Sequence, residues 1–357
     1  MDQNITNYTN LSGSADAAAT VTGVEQLDHI LIYPILCILI FGPLGIATNI
    51  TNIAIFIKMG LQETTTISML ALAVCDLICC ILATWTYVCF VPAFRDSPYL
   101  SFRPEEVASE TGIIFRPYLT RTGALITAFI TLERCLCVVL PMRVKNIITV
   151  RVTRIAMITI YVITASPYIV HIFQSKLDWK FYPHLNKTLV GRVHVKNPTA
   201  YAVIEINSYI CGFFYLLFAS GIIFLCTIFL AVTLFRTSRW RASMRKQTEN
   251  SSSGKSGDMK TGGTRKEMRL IKMVVIIASL FIVCNTPGTV VIFITAVTPE
   301  YLQTIQYLPS TVLLKSCIFA SEVINQSVNF FVYYTIGTKF KLVFRQMIGF
   351  KMKNASS

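Results

Sequence analysis

Seven long apolar runs dominate this sequence and limit what it can fold into. Each is near or above the ~20 residues with which an α-helix crosses a bilayer, and they cover about residues 30–57, 65–91, 111–140, 153–173, 206–235, 270–296 and 311–335. Only 14% of the chain is charged and 54% is apolar, whereas about a quarter of a soluble domain is charged. The sequence therefore predicts an all-α membrane protein, a seven-transmembrane helix bundle.

Lysine and arginine indicate the orientation, because positive charge accumulates on cytoplasmic loops. The first 29 residues contain neither, whereas residues 236–272 hold eleven and the tail from 339 onward holds five. We therefore expect a multi-pass protein of the plasma membrane with its N-terminus outside. The net charge of +14 then reflects orientation and attraction to membrane lipid, which makes nucleic-acid binding the weaker interpretation.

The predicted domains follow this topology. Residues 1–29 form an extracellular N-terminus, 30–335 the membrane domain, with a disordered third cytoplasmic loop at about 242–264, and 336–357 the tail. Glycosylation sequons begin at Asn4, Asn7 and Asn10, and in the second outer loop at Asn186. We expect no cleaved signal peptide, and the first span serves as the signal.

The tail has apolar residues at intervals of three and four, with basic residues between them. Phe340, Val343, Phe344, Met347 and Ile348 make this pattern, which predicts an amphipathic helix on the inner membrane surface. A frayed basic tail is the alternative.

Ionisable residues inside spans are rare and indicate function; here they are Asp76, Arg116, Arg121, Glu133, Arg134, Lys315 and Glu322. In the seventh run, Lys315, Glu322 and Asn329 are spaced by seven and share one helical face. A polar stripe of this kind predicts a hydrated interior that accepts a ligand. Arg116 could instead snorkel towards the membrane surface.

Several motifs of the sequence resemble those of a known protein family. They are Asn49 in "GIATNITNIAIF", Asp76 in "LALAVCDL", Glu133 and Arg134 in "ERC" with Pro141 seven residues after the arginine, "FIVCNTP" with Asn285 and Pro287, and "NFFVY" with Asn329 and Tyr333. In this order the chain resembles the rhodopsin-like (class A) G-protein-coupled receptors. The ending "NQSVNFFVYYTIGTKFK" is most similar to invertebrate FMRFamide and other peptide receptors and to molluscan chemosensory receptors.

The resemblance implies an activation switch made by Glu133, Arg134, Glu267, Pro287, Asn329 and Tyr333. We hypothesise that Arg134 pairs with Glu133 and Glu267 at rest. Pro287 removes a helical hydrogen bond and permits a kink, so the inner half of the sixth span can swing outward. The opened cleft would accept a helix of a heterotrimeric G protein.

The resemblance also implies a hydrated network of Asn49, Asp76 and Asn325 with Asn329. In the family this region binds sodium, but Gly123 stands at the position of the third span that usually offers a serine to the sodium site. A disulfide usually ties the third span to the second outer loop, yet Ser109 occupies that position. The eleven cysteines have no metal-ligand spacing, and we expect no metal or cofactor.

The candidate ligand-binding residues are Arg116, Thr120, Arg121, Asn285, Lys315 and Glu322. Two arginines and a lysine against one glutamate favour an acidic ligand, either a peptide or a chemosensory small molecule, over a biogenic amine. Alternatively, Arg116 and Glu322 pair with each other across the bundle.

Other functions fit the sequence less well. An opsin would need lysine six residues before Asn329, where Val323 stands. An intramembrane protease would need paired aspartates, and only Asp76 is deep enough, so we expect no enzyme. A transporter would usually show an internal repeat and broken helices in matching halves, and the sequence shows neither. A ligand-gated ion channel of seven spans remains the alternative.

Overall fold

The structure is a computed structural model that describes residues 32–166, 173, 175–194, 214–249, 261–297 and 309–349. The predicted sequons at Asn4, Asn7 and Asn10 lie outside the described residues, as do residues 250–260 of the third cytoplasmic loop and the tail beyond 349.

Eight principal helices lie in the described residues. They are α1 Ile32–Met59, α2 Thr64–Phe90, α3 Pro104–Val139, α4 Val150–Ala165, α5 Tyr215–Glu249, α6 Thr261–Val297, α7 Pro309–Ile336 and α8 Thr338–Met347. Five of them are long and apolar enough to cross a membrane: α1, α2, α3 and the segments Tyr215–Trp240 of α5 and Glu267–Val291 of α6. Within the described chain α4 has 16 residues, and α7 carries too many polar residues to qualify by composition.

The helices pack around α3. It contacts α2, α4, α5 and α6, while α6 and α2 both contact α7. α1 is joined to α7 because the Ser327 hydroxyl donates to the Phe41 carbonyl at 2.7 Å. α4 is held against α2 by Tyr161, whose hydroxyl donates to the Ala71 carbonyl at 2.8 Å. α3 thus lies at the centre of the described bundle.

Large apolar side chains cover much of the outside of the bundle. Ile40, Leu225 and Val283 are 65%, 69% and 72% exposed. In water such a surface would aggregate, but in a membrane the lipid chains cover it. The exposure pattern agrees with the membrane class that composition predicts.

Two helix boundaries differ from the sequence prediction. α3 begins at Pro104 rather than at about 111 because a π-helical turn, Ser109–Ile113, continues it outward. α5 reaches Glu249 and α6 begins at Thr261, so helix extends into both ends of the loop predicted to be disordered at about 242–264. α8 follows α7 in the part of the tail where the sequence predicts an amphipathic helix, and its position on the membrane surface stays a prediction. Phe340 is buried there between Phe56 and Tyr333, with ring centroids 5.5 and 5.6 Å away.

The all-α prediction misses a β-hairpin between α4 and α5, in the loop that the sequence predicts to be the second outer one. Strands β1 Ser175–Tyr182 and β2 Lys187–His194 are antiparallel, with Ser175 opposite His194 and Tyr182 opposite Lys187. The turn between them ends at Asn186, which has φ 49°, a left-handed conformation that asparagine tolerates. Asn186 is exposed at this tip, so its sequon is accessible for the predicted glycosylation.

Candidate functional site

A cavity of about 380 Å³ lies between α3, α5, α6 and α7. Its walls are Pro117, Thr120, Arg121, Leu216, Asn285, Gly288, Thr289, Val291, Lys315, Ile318, Phe319 and Glu322. Five of the six ligand-binding residues predicted from the sequence therefore line one cavity. A cavity of a few hundred cubic ångströms with mostly apolar walls and a few polar groups is typical of small-molecule sites.

Arg116, the sixth predicted residue, does not line this cavity. Its guanidinium is only 4% exposed, and Nη2 lies 3.1 Å from Oε2 of Glu322. The same Nη2 donates to the Phe319 carbonyl at 3.1 Å, and the guanidinium carbon lies 4.6 Å from the centre of the Phe319 ring. The snorkelling interpretation is therefore wrong, and the alternative of a pair across the bundle is what the structure contains.

The cavity has an excess of positive charge. Among the described residues of its lining, Arg121 and Lys315 are the cations and Glu322 is the carboxylate. Arg116 also pairs with Glu322 from outside the lining, so three cations of the described residues lie around one carboxylate. Lys315 is solvent-exposed, and the Arg121 guanidinium lies over the Tyr118 ring at 5.3 Å.

A second, much smaller cavity of about 20 Å³ lies deeper in the bundle. Its polar lining comprises Asp76, Thr120, Thr127, Asn285, Asn325, Gln326 and Asn329, and Gly123 also lines it. About 10–15 Å³ suffices for one water molecule, so this space can be hydrated. Thr120 and Asn285 line both cavities and form the boundary between them.

The predicted polar network is present in two parts. Asn329 donates through Nδ2 to Oδ2 of Asp76 at 2.9 Å, and Asn325 lines the same small cavity. Asn49 lies apart from that cavity and donates to the Gln326 and Gly45 carbonyls at 2.9 Å each. Asn49 therefore joins α1 to α7 through the backbone, while Asp76 joins α2 to α7 through a side chain.

Two residues of the predicted activation switch, Glu133 and Arg134, contact each other at the inner end of α3. Arg134 forms an ion pair with Glu133, and the Thr64 hydroxyl donates to the same Glu133 oxygen. Glu133 is only 2% exposed. Glu267, by contrast, is exposed, and in the described chain no ion pair joins it to Arg134. The predicted contact with Glu133 is thus present, and the one with Glu267 is not present in this conformation.

The sequence does not predict that Thr64 contacts the switch residues, although its hydroxyl donates to Glu133. It is the first residue of α2 and stands in "ETTTIS", where three consecutive threonines could have suggested a polar helix end but not its distant partner. This hydrogen bond from Thr64 to Glu133 links α2 to α3 and does not involve α6.

The remaining two switch residues also have clear environments. Pro287 lies inside α6, where it lacks the N–H that would bond to the Val283 carbonyl. Tyr333 is 1% exposed and its ring lies 5.3 Å from that of Phe56. The Tyr333 hydroxyl has no hydrogen-bond partner among the described residues in this conformation.

Comparison with known families agrees with these features. The family model described as the 7 transmembrane receptor (rhodopsin family) matches residues 48–333, from the second half of α1 to the tyrosine of "NFFVY". The chain belongs to this family. Membership implies an extracellular ligand and coupling to a G protein, and it makes the chain a multi-pass membrane receptor. A search of curated proteins found no sequence similar to it.

Proposed function

We propose that this chain is a plasma-membrane receptor, with its N-terminus outside, for an extracellular ligand that carries a carboxylate or another acidic group. The ligand is a peptide or a chemosensory small molecule, in keeping with the resemblance of the C-terminal motif. The observation that carries this proposal is the positive excess in the cavity between α3, α5, α6 and α7. Family membership does not favour the seven-span channel.

Arg121 and Lys315 are the proposed contacts for the acidic group. Both line the cavity, and their hydrogen bonds to an ionised acid would be worth more than neutral ones because the site is largely apolar. Arg116 has a different role in this proposal: it holds Glu322 and so affects the ligand only through that carboxylate.

Signal transfer in this proposal runs from the cavity to the inner end of α6. Asn285 lines the ligand cavity two residues before Pro287, so a ligand that pushes on Asn285 acts beside the weakened turn. Outward movement of the inner half of α6 then exposes Arg134 and its surroundings to a helix of the heterotrimeric G protein.

The experiment compares matched acids and amides. Cells expressing the full chain are screened for G-protein dissociation with a panel of peptides and small carboxylic acids, each tested beside its primary amide. We expect acids to activate, and Lys315→Gln to lower the potency of an acid roughly ten- to hundredfold, the range for one hydrogen bond between charged groups.

Lys176→Gln is the matched control, because Lys176 is an extracellular cation that pairs with Asp178 on the surface. It should leave the potency unchanged. Activation by amides and acids alike, or an equal effect of Lys315→Gln on both, would contradict the acidic-ligand proposal while leaving receptor function itself intact.

A further inference from the structure

The extracellular hairpin is attached to the outer end of α3 without a covalent bond. No cysteine occurs between Cys89 and Cys135, or between Cys137 and Cys211, so neither the hairpin nor the outer end of α3 can supply one. Two backbone hydrogen bonds join β2 to the segment that precedes α3: the Val190 N–H donates to the Ser101 carbonyl and the Arg103 N–H donates to the Val190 carbonyl, at 2.9 Å each. Charged side chains make further contacts with α3 itself.

Arg192 on β2 is at the centre of these contacts. Its Nε lies 2.5 Å from Oε1 of Glu110, its Nη1 donates to the Ser109 hydroxyl at 3.2 Å, and its backbone N–H donates to Oε2 of Glu106 at 2.6 Å. Ser175 on β1 donates to the same Glu110 oxygen at 2.8 Å. The Arg192 side chain thus connects β2 to Ser109 and Glu110 of α3, and Ser175 connects β1 to the same Glu110 carboxylate.

The surroundings of Glu106 strengthen this arrangement. Lys180 Nζ lies 3.8 Å from Oε1 of Glu106, and burial together with the Glu106 carboxylate raises the pKa of Tyr182 to about 12. A Cβ at Gly191 would collide with the Tyr182 hydroxyl and lie 2.6 Å from Oε2 of Glu106. A larger residue beside Arg192 would therefore displace the ends of the Tyr182 and Glu106 side chains.

We propose that Arg192 is the residue that positions the extracellular hairpin on α3, through an ionic clasp that its side chain forms with Glu110 and Ser109. The clasp is reversible and depends on ionic strength, because salt screens partly exposed charges and Arg192 is 25% exposed. Glu110 lies seven residues, about two helical turns, before Pro117 of the ligand cavity. The clasp thus acts on the outer entrance of that cavity, whatever ligand it takes.

The test measures hydrogen–deuterium exchange of the amides at 175–194 in the purified full-length receptor in lipid nanodiscs. Arg192→Ala should speed exchange across the hairpin roughly tenfold, in line with the loss of hydrogen bonds to charged groups. Lys176→Ala is the matched control: it removes a cation from the same hairpin that, among the described residues, pairs along its own strand with Asp178 at 2.7 Å. It should leave exchange near that of the unmodified chain.

A charge exchange separates ionic positioning from packing. In the double variant Arg192→Glu with Glu110→Arg, the ion pair is reversed, and exchange should return most of the way to that of the unmodified chain. Raising NaCl should speed exchange in the unmodified chain and have little effect on Arg192→Ala. The proposal is overturned if Arg192→Ala behaves like Lys176→Ala, or if the double variant remains as loose as Arg192→Ala.

Arg192→Lys covers the case in which the alanine variant does not reach the membrane. It keeps the charge but cannot contact Glu110 and Ser109 together, so its exchange should be intermediate and more salt-sensitive than that of the unmodified chain. Exchange and salt response equal to those of the unmodified chain would overturn the proposal.

Discussion

The outer and inner ends of α3 place their buried charges in different ways. At the outer end, Arg116 pairs with Glu322 of α7, so the pair connects two helices. At the inner end, Glu133 and Arg134 pair with each other as neighbours on α3, and Thr64 ties Glu133 to α2. The outer pair is therefore a cross-link between two helices of the bundle, whereas the inner pair lies within α3 and, among the described side chains, includes no residue of α6. In our proposal the inner half of α6 moves, and no ion pair between Glu267 and Arg134 opposes that movement in this conformation.

The largest expected effect comes from breaking the outer cross-link on one side. Arg116→Leu leaves Glu322 buried without its partner, which costs about 3–5 kcal/mol for a buried ion pair. We expect a clear fall in thermal stability and in the amount of receptor at the cell surface, measured by thermal unfolding in detergent and by surface labelling.

The double variant Arg116→Leu with Glu322→Leu is the control for this change. Replacing both members of a buried pair by apolar residues is often neutral or stabilising, so most of the stability should return. If the double variant is as unstable as Arg116→Leu, the pair is not what connects α3 to α7.

A smaller effect is expected at the inner end. Glu133→Gln removes the negative partner of Arg134, which becomes available to a G protein, so basal nucleotide exchange should rise several-fold. Thr64→Val removes one hydrogen bond to Glu133, worth about 1 kcal/mol, and should raise it less. An unchanged basal rate in Glu133→Gln would show that this pair does not restrain signalling.

The smallest effect is expected for Glu267→Gln. Because Glu267 is exposed and forms no ion pair with Arg134 in this conformation, the change should alter basal exchange less than about twofold, as for most surface substitutions. A rise equal to that of Glu133→Gln would instead support the resting contact between Arg134 and Glu267 that the sequence predicts.

The sequence predicts much of this molecule because its strongest signals are local. Apolar length locates the helices, and a polar spacing of seven places Lys315 and Glu322 on one face, where both line the cavity. The hairpin was not predicted, since the alternation in "KLDWKFY" is short and mostly exposed. The sequence does not predict the contacts between residues that are far apart along the chain. The pairing of Arg116 with Glu322 and the contact of Thr64 with α3 are of this kind.

The most direct test of the account is a distance measured across the inner end of the bundle. Spin labels are placed at Cys137 of α3 and at Glu267→Cys of α6, with the other reactive cysteines replaced by serine. Electron–electron double resonance then compares the receptor alone with the receptor bound to nucleotide-free G protein. We expect the distance distribution to shift to longer values on binding. A bound G protein with an unchanged distribution would contradict the movement of α6 on which the account rests.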